Sequence, residues 1–341
     1  MKCEAQPSPP CGRRPQASRP TPISLWREAC GMKRLFLFTL PLFHFSLSSH
    51  AQQISQYTQY VFNHFSINPA VAGSKDCLDI RLGYRKQWMG FEGAPQTAWA
   101  SVHMSIRSKQ PFVANRHGIG LWVEADDAGP YGYTLVYLAY AYHIQMSRDY
   151  FLSMGLFAGA KQMKLDAAEI TTFDPFDPAI TTSRSQFVYP EITPGVWAYN
   201  KRGWMGLSLP QVLGNKIPKW GLGESRLTRH YLLSAGYRYR FAKNISIAPS
   251  TLLKISPKSP LSLDLNLMVE YHRKAGIGVS YRNVDAIAFM LKVSFMKYFQ
   301  LGYSYDITTS KIRTASSNTH EIVLAITPCP PNDPNRATVN C

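Results

Sequence analysis

The chain has 341 residues, with 37 Lys and Arg against 21 Asp and Glu, a formal charge of +16, and six cysteines. Six is too few for a secreted disulfide scaffold, and the basic balance comes without the basic helix or aromatic platform that reads nucleic acid. No stretch beyond residue 51 approaches the roughly 20 apolar residues of a transmembrane helix, so any membrane span must be built from strands.

Residues 1–31 are rich in Pro, Arg and Cys and have no hydrophobic period; they are set aside from the fold, with Met32 as the expected initiator. Residues 32–51, MKRLFLFTLPLFHFSLSSHA, read as a signal peptide: Lys33 and Arg34 form the positive start, Leu35 to Leu47 the apolar core, and Ser49-His50-Ala51 the small-x-small cleavage site. Removing residues 1–51 takes away seven basic and two acidic residues, which leaves a mature charge of about +11.

Residues 52–76, QQISQYTQYVFNHFSINPAVAGSKD, differ in character. Tyr57, Tyr60, Val61, His64 and Phe65 stand at helical spacing, followed by the turn formers Asn68-Pro69 and Gly73. This predicts a short amphipathic turn or helix whose apolar face lies in a lumen or at its periplasmic mouth.

From 77 to 327 about fourteen short segments alternate with period 2, the mark of a strand with two different faces. In the clearest, Leu261, Leu263, Leu265, Leu267, Val269 and Tyr271 share one face while Ser262, Asp264, Asn266, Glu270 and His272 share the other. The same alternation runs through Leu78 to Tyr84, Ala98 to Ile106, Ile119 to Ala125, Phe299 to Ile307 and Ile322 to Ile326. Even-to-odd connections are mostly tight, as at 147–149, 200–203, 242–244 and 273–275, whereas the odd-to-even ones include the long Leu165 to Tyr189, Pro210 to Arg229 and Thr308 to Asn318. One rim of short turns, one of long loops and an even strand count describe an all-β antiparallel transmembrane barrel of about 14 strands with its short turns toward the periplasm. Tyr and Trp near strand ends (Trp88, Tyr131, Tyr133, Trp197, Tyr199, Trp204, Tyr231, Tyr298) suit interfacial girdles.

No HExxH, GxSxG, CxxC or Walker-type loop occurs, so the sequence shows no enzyme, metal centre or cofactor. His103, His143 and His272 are expected to face the lumen. Basic residues gather at the proposed periplasmic turns: Arg107, Lys109, Arg116, Arg148, Lys201, Arg202, Lys243, Arg273, Lys274 and Lys297. They suit either lipid headgroups or an acidic periplasmic partner, for which Lys201, Arg202, Lys243, Arg273 and Lys274 are the candidates. Of the three mature cysteines, Cys77 and Cys329 would meet at the seam where first and last strands close the barrel; a Cys329–Cys341 bridge and free thiols are the competing arrangements. Residues 328–341, PCPPNDPNRATVNC, form a Pro-rich tail beyond the last strand.

Several blocks in order carry a resemblance: Q-x-x-Q-Y-x-x-x-x-F, INPAVAGSKD, YRKQWMGFEGAPQT, YPEITPGVWAYN, MGLSLPQVLGN, HYLLSAGYRYRF, LSLDLN, VSYRNVDAIAFML, LGYSYDIT and THEIVL. Together they resemble the PorP/SprF family of type IX secretion outer-membrane proteins of the Bacteroidota, over Gln52 to Ile326. The carrying residues are Gln56, Tyr57, Asn68, Pro69, Ala70, Gly73, Tyr84, Arg85, Trp88, Gly90, Phe91, Gly93, Pro95, Asp285, Tyr303, Tyr305, Asp306, His320 and Glu321. The resemblance implies a non-enzymatic barrel in outer-membrane lipid, associated with type IX secretion or gliding. It would support export or surface attachment of secreted clients such as large adhesins, and would dock periplasmic components of the machine. A passive porin-like channel or hydrophobic-substrate transporter is the alternative from another class. The tail departs from the common aromatic C-terminus of outer-membrane barrels, which leaves open where the assembly signal lies.

Overall fold

The computed structural model describes residues 54–75, 77–107, 115–166, 185–217, 225–257, 259–283, 285–296, 298–314 and 317–328. Fourteen antiparallel strands form its wall: β1 (Asp79–Lys86), β2 (Gln96–Arg107), β3 (Arg116–Ala128), β4 (Tyr131–Gln145), β5 (Phe151–Leu165), β6 (Ser185–Tyr199), β7 (Gly203–Ser208), β8 (Tyr231–Tyr237, continued by Tyr239–Arg240), β9 (Ile245–Ser256), β10 (Ser259–Tyr271), β11 (Ala275–Arg282), β12 (Ala286–Phe295), β13 (Phe299–Thr308) and β14 (Thr319–Ile326). Each pairs with the next, and β14 pairs back onto β1 in a register that sets Ile80 against Ile326 and Arg85 against Glu321. The sheet is therefore closed, and closure removes the open edges that would otherwise recruit other chains.

Period 2 maps onto exposure as expected. Leu265 and Leu267 are about half exposed on the outside, while Asp264, Asn266 and Met268 are buried toward the axis. The outward set continues around the wall through Leu82, Met104, Val136, Met154, Leu207, Leu233, Ile277, Phe289 and Ile322. An apolar belt on a closed barrel has no aqueous partner, and lipid is the medium it fits. Among the described residues no helix is long and apolar enough to cross a membrane.

The connections sort onto two rims. Residues 146–150, 200–202, 241–244, 272–274 and 296–298 are short turns on one, which also carries the longer connection from Arg107 to Arg116; the other carries the connections 87–95, Leu165 to Ser185, 209–230 and 309–318, together with tight ones such as 129–130. The 209–230 loop carries a small ribbon, Lys216–Ile217 against Ser225–Arg226. It lies along the upper half of β6, which extends beyond the six-residue β7. There the edge is protected locally: Pro190 and Pro194 offer no N–H, and their carbonyls accept from Asn215 Nδ2 (2.7 Å) and Leu209 N (3.0 Å). Prolines at an unpaired edge discourage further strand addition.

This asymmetry makes a direct prediction. An epitope inserted within 166–184 should be labelled on intact cells and one inserted at Arg273-Lys274 should not; reversed labelling would invert the assigned orientation.

Candidate functional site

The lumen is occupied by the chain's own residues from Ile54 to Lys75. They form three 3-10 turns, Gln59–Val61, His64–Ser66 and Pro69–Val71, rather than the amphipathic helix that the spacing suggested. The interruption is local in part. Thr58, Asn63 and Asn68 each precede a turn at the N-cap position; Thr58 and Asn63 turn their side chains to the wall at Asp306 and Ser101, whereas Asn68 competes with helix continuation. At Asn68 this is explicit: Oδ1 accepts from Ala70 N (2.9 Å), Pro69 opens the turn, and Nδ2 donates to the wall at Val196 O (3.0 Å) and Leu207 O (3.2 Å).

The wall is shaped to receive this backbone. Gly155 and Gly195 are cross-strand partners. A Cβ at Gly155 would lie 2.4 Å from Ala70 N, and one at Gly195 would lie 2.2 Å from Asn68 Oδ1. At Gly118 a Cβ would meet Ala72 O at 1.9 Å. The Asn-Pro-Ala turn thus seats on bare backbone, a contact no larger residue permits. Upstream of it the segment's apolar side chains enter an aromatic bed: Phe65 packs on Phe157 and His103 with ring centroids 5.0 and 4.8 Å apart, and Tyr57 meets Trp99 and Trp122 edge-on. Each fully buried side chain of this size contributes roughly 1.5–3 kcal/mol of transfer free energy.

His64 lies between Trp197 and Trp204. Burial, followed by repulsion from Arg81, Lys75 and Arg238, holds its imidazole down to about 3. The ring is neutral at neutral pH, as its apolar surroundings require.

Charged side chains lock the upper end of the segment near the long-loop rim. Arg85 donates to Asp306 (2.9 Å) and Glu321 (2.8 Å); Arg282 pairs with Asp285 (3.0 Å) and Asp264 (3.5 Å), and Lys254 closes the row on Asp264 (2.9 Å). Thr58 sits at the centre. Its hydroxyl donates to Asp306 (2.5 Å) and accepts from Arg85 and Arg282 (both 3.1 Å), while its N–H donates to Glu321 (2.8 Å). Gln59 adds bonds to the Glu321 carboxylate and carbonyl. Five ionisable groups from five strands are buried here, with Lys254 and Asp285 part-buried at their edge, and such burial is tolerated only when the charges are paired.

Of the family-motif residues, Tyr57, Arg85, Asp285, Asp306 and Glu321 come together at this network, and Asn68, Pro69, Ala70 and Gly73 form the lower seat; Gln56 is partly buried just above. Trp88, Gly90, Phe91, Gly93 and Pro95 build the β1–β2 loop instead, which pairs with the β13–β14 loop through Met89 N to Asn318 O and Ser317 N to Met89 O. Gly90 and Gly93 have φ of +87° and +70°, where glycine is favoured. Tyr84, Tyr303, Tyr305 and His320 face outward. Thr58, Asp264, Arg282 and Lys254 were missed as site residues. For the last three the signal was present as single charges among apolar strand residues; the neutral Thr58, in the lumen segment, carried none.

Several expectations change. Trp197, Tyr199, Trp204 and Tyr133 are buried toward the axis rather than set in an interfacial girdle, because the filled lumen needs an aromatic lining. Arg116 is no rim charge: it is buried, donates to Tyr199 Oη (2.6 Å) and Ser74 O (3.1 Å), and stacks over Phe151. His103 and His143 do face inward, the latter bonded to Ala72 O (2.7 Å) and Tyr199 Oη (2.9 Å). His272 lies in an exposed turn with φ +49° instead of in a strand. Lys109, Lys297 and Cys329 lie outside the described residues, as does the side chain of Arg107. Cys77 is disulfide-bonded.

On the short-turn rim Lys201, Arg202, Lys243, Arg273 and Lys274 are all exposed. Their turns are joined by backbone bonds, Arg238 N to Arg202 O (2.6 Å) and His272 N to Asn244 O (2.7 Å). Lys201 is 3.2 Å from Asp149, an exposed pair of small energetic weight. Among the described residues no group of three or more His, Cys, Asp or Glu could hold a metal ion.

Comparison with known proteins agrees with this architecture. The toluene transporter TbuX of Ralstonia pickettii is similar in structure, with a TM-score of 0.51 at 9% identity over 78% of this chain and 93% of that one. The Pseudomonas putida toluene transporter TodX follows with a TM-score of 0.45 at 10% identity over 80% and 94%. At 9% identity the TbuX likeness speaks to the barrel fold alone. Among curated proteins none matches the chain. The family model described as type IX secretion system membrane protein PorP/SprF matches residues 49–326, so the chain, an outer-membrane β-barrel, belongs to that family.

Proposed function

We propose that this barrel is a non-enzymatic part of the type IX secretion or gliding machinery that works through its surfaces rather than through its lumen. It would support export or surface attachment of secreted clients such as large adhesins, and its short-turn rim would dock periplasmic components. The observation that carries the reading is the lumen itself: Asn68, Thr58 and Gln59 bind both walls, and Phe65 is fully buried between them. A barrel so filled offers no passage for a polypeptide, which speaks against a porin-like channel.

The docking side rests on the rim. His272 and Arg273 occupy left-handed φ of +49° and +57°, and Lys274 N bonds to Tyr271 O (2.9 Å), which makes a type I′ turn without its usual Asn-Gly. Such a turn holds Arg273 and Lys274 in fixed positions beside Lys243 and Arg202. Cations presented on a rigid edge steer an acidic partner more than they add affinity. Cys77 is disulfide-bonded, which supports the proposed seam bridge to Cys329.

Replacing Lys201, Arg202, Lys243, Arg273 and Lys274 together by Gln tests the docking role. Heat-modifiable gel mobility should be unchanged, while recovery of periplasmic partners and client secretion should fall, with a weaker salt dependence. Unchanged recovery and secretion would return these residues to headgroup contact.

A further inference from the structure

The outward face of the β1–β14 seam carries polar groups where the wall meets the long-loop rim. Lys86 lies on the same face as the exposed Leu82 and Tyr84, opposite His320 on β14 and Gln96 on β2. Tyr84 Oη donates to Gln96 Oε1 (2.8 Å), so the Gln96 amide keeps its N–H donors for another group. Tyr303 Oη lies 2.7 Å from His320 Nδ1; with the tyrosine donating, His320 Nε2–H is left pointing away. The adjoining β13–β14 loop adds the exposed Lys311 and Arg313.

Lys86, Lys311 and Arg313 take part in none of the ion pairs among the described residues. The carboxylate that stands across from Gln96 on the outward face, Asp127, is neutralised by Lys164 at 2.6 Å. Unpaired cations beside amide and imidazole donors, directly above a lipid-facing apolar wall, are complementary to a phosphate held at headgroup depth. Pure snorkelling would need neither the clustered donors nor the two further cations.

We infer that this sector is a docking site for a phosphorylated glycolipid of the outer leaflet, with Lys86, Lys311 and Arg313 on the phosphates, Gln96 and His320 donating beside them, and Leu82 and Ile322 against the acyl chains. A cation near an anionic surface contributes about 1 kcal/mol, a factor of roughly five in affinity.

The test reconstitutes the full mature chain into vesicles of phosphatidylethanolamine alone, with phosphatidylglycerol, or with lipid A, and follows the temperature of the heat-modifiable transition. Lipid A should raise that temperature beyond phosphatidylglycerol, and the apparent affinity should fall roughly a hundredfold in Lys86→Gln/Lys311→Gln/Arg313→Gln. Native gel mobility should show that this variant folds, and Arg148→Gln, which removes an exposed charge on the opposite rim, should behave as wild type. An equal response of wild type and triple variant would overturn the site. So would a response to phosphatidylglycerol, or to inorganic phosphate, as large as that to lipid A.

Discussion

Arg85→Leu should lower stability by about 3–5 kcal/mol, the cost of removing one partner from a buried ion network. The change strands Asp306 and Glu321, and leaves Arg282, 4.0 Å from Asp306, as the nearest remaining cation. Thr58 loses a donor to its hydroxyl, so the upper end of the lumen segment should come free. The readouts are a lower unfolding midpoint on heat-modifiable gels, new protease cleavage between Thr58 and Phe65, and ion conductance in planar bilayers where wild type shows none. Lys164→Gln, which breaks an exposed pair, should cost under about 1 kcal/mol. If the two variants unfold together and neither conducts, the network does not hold the segment.

Leu265→Arg should cost roughly 2–4 kcal/mol, the penalty for a cation on the lipid face near mid-strand. Leu265→Phe, equally apolar, should be close to neutral. The adjacent lumen position, by contrast, is not a permissive control. Asn266 is buried and its Nδ2 donates to Tyr60 Oη at 2.6 Å, so Asn266→Arg would drive a cation into an occupied space. Loss of folding is therefore expected in both Arg variants, but only Leu265→Arg should be rescued in thinner bilayers, where the mid-strand site lies closer to the interface. Rescue of both would place Leu265 elsewhere than against lipid.

That pair of neighbours shows what the sequence could and could not disclose. Period 2 assigns Leu265 and Asn266 to opposite faces, and it does so for most of the fourteen strands, because alternation is a property of a single strand. The loop lengths likewise expose the two rims, and the aromatic run at Tyr57 to Phe65 announces a segment that needs shelter. What fills the lumen depends on meetings between distant residues: Thr58 with Glu321, Asn68 with Leu207, Tyr60 with Asn266. No local pattern encodes such pairs. Nearness to a strand end, the basis for placing Trp197, Trp204 and Arg116, does not distinguish the inner face from the outer. The rim cations were legible from composition and turn position, whereas the left-handed pair His272-Arg273 was not, since neither residue favours that conformation.

Thr58 and Gln59, which precede the first strand of the wall, are bound through Glu321, which lies on its last. This arrangement ties the order of events in assembly to the order of synthesis. The lumen segment emerges first, and its turns seat directly on the backbone at Gly155, Gly195 and Gly118, a fit that favours strands wrapping around it over late threading into a finished wall. When β14 arrives it zips to β1 and, in the same movement, brings the Glu321 carboxylate onto two backbone N–H groups of the enclosed segment. Sealing the membrane wall and capping its contents are one step, so a closed but empty barrel is not a station on the way to the finished protein.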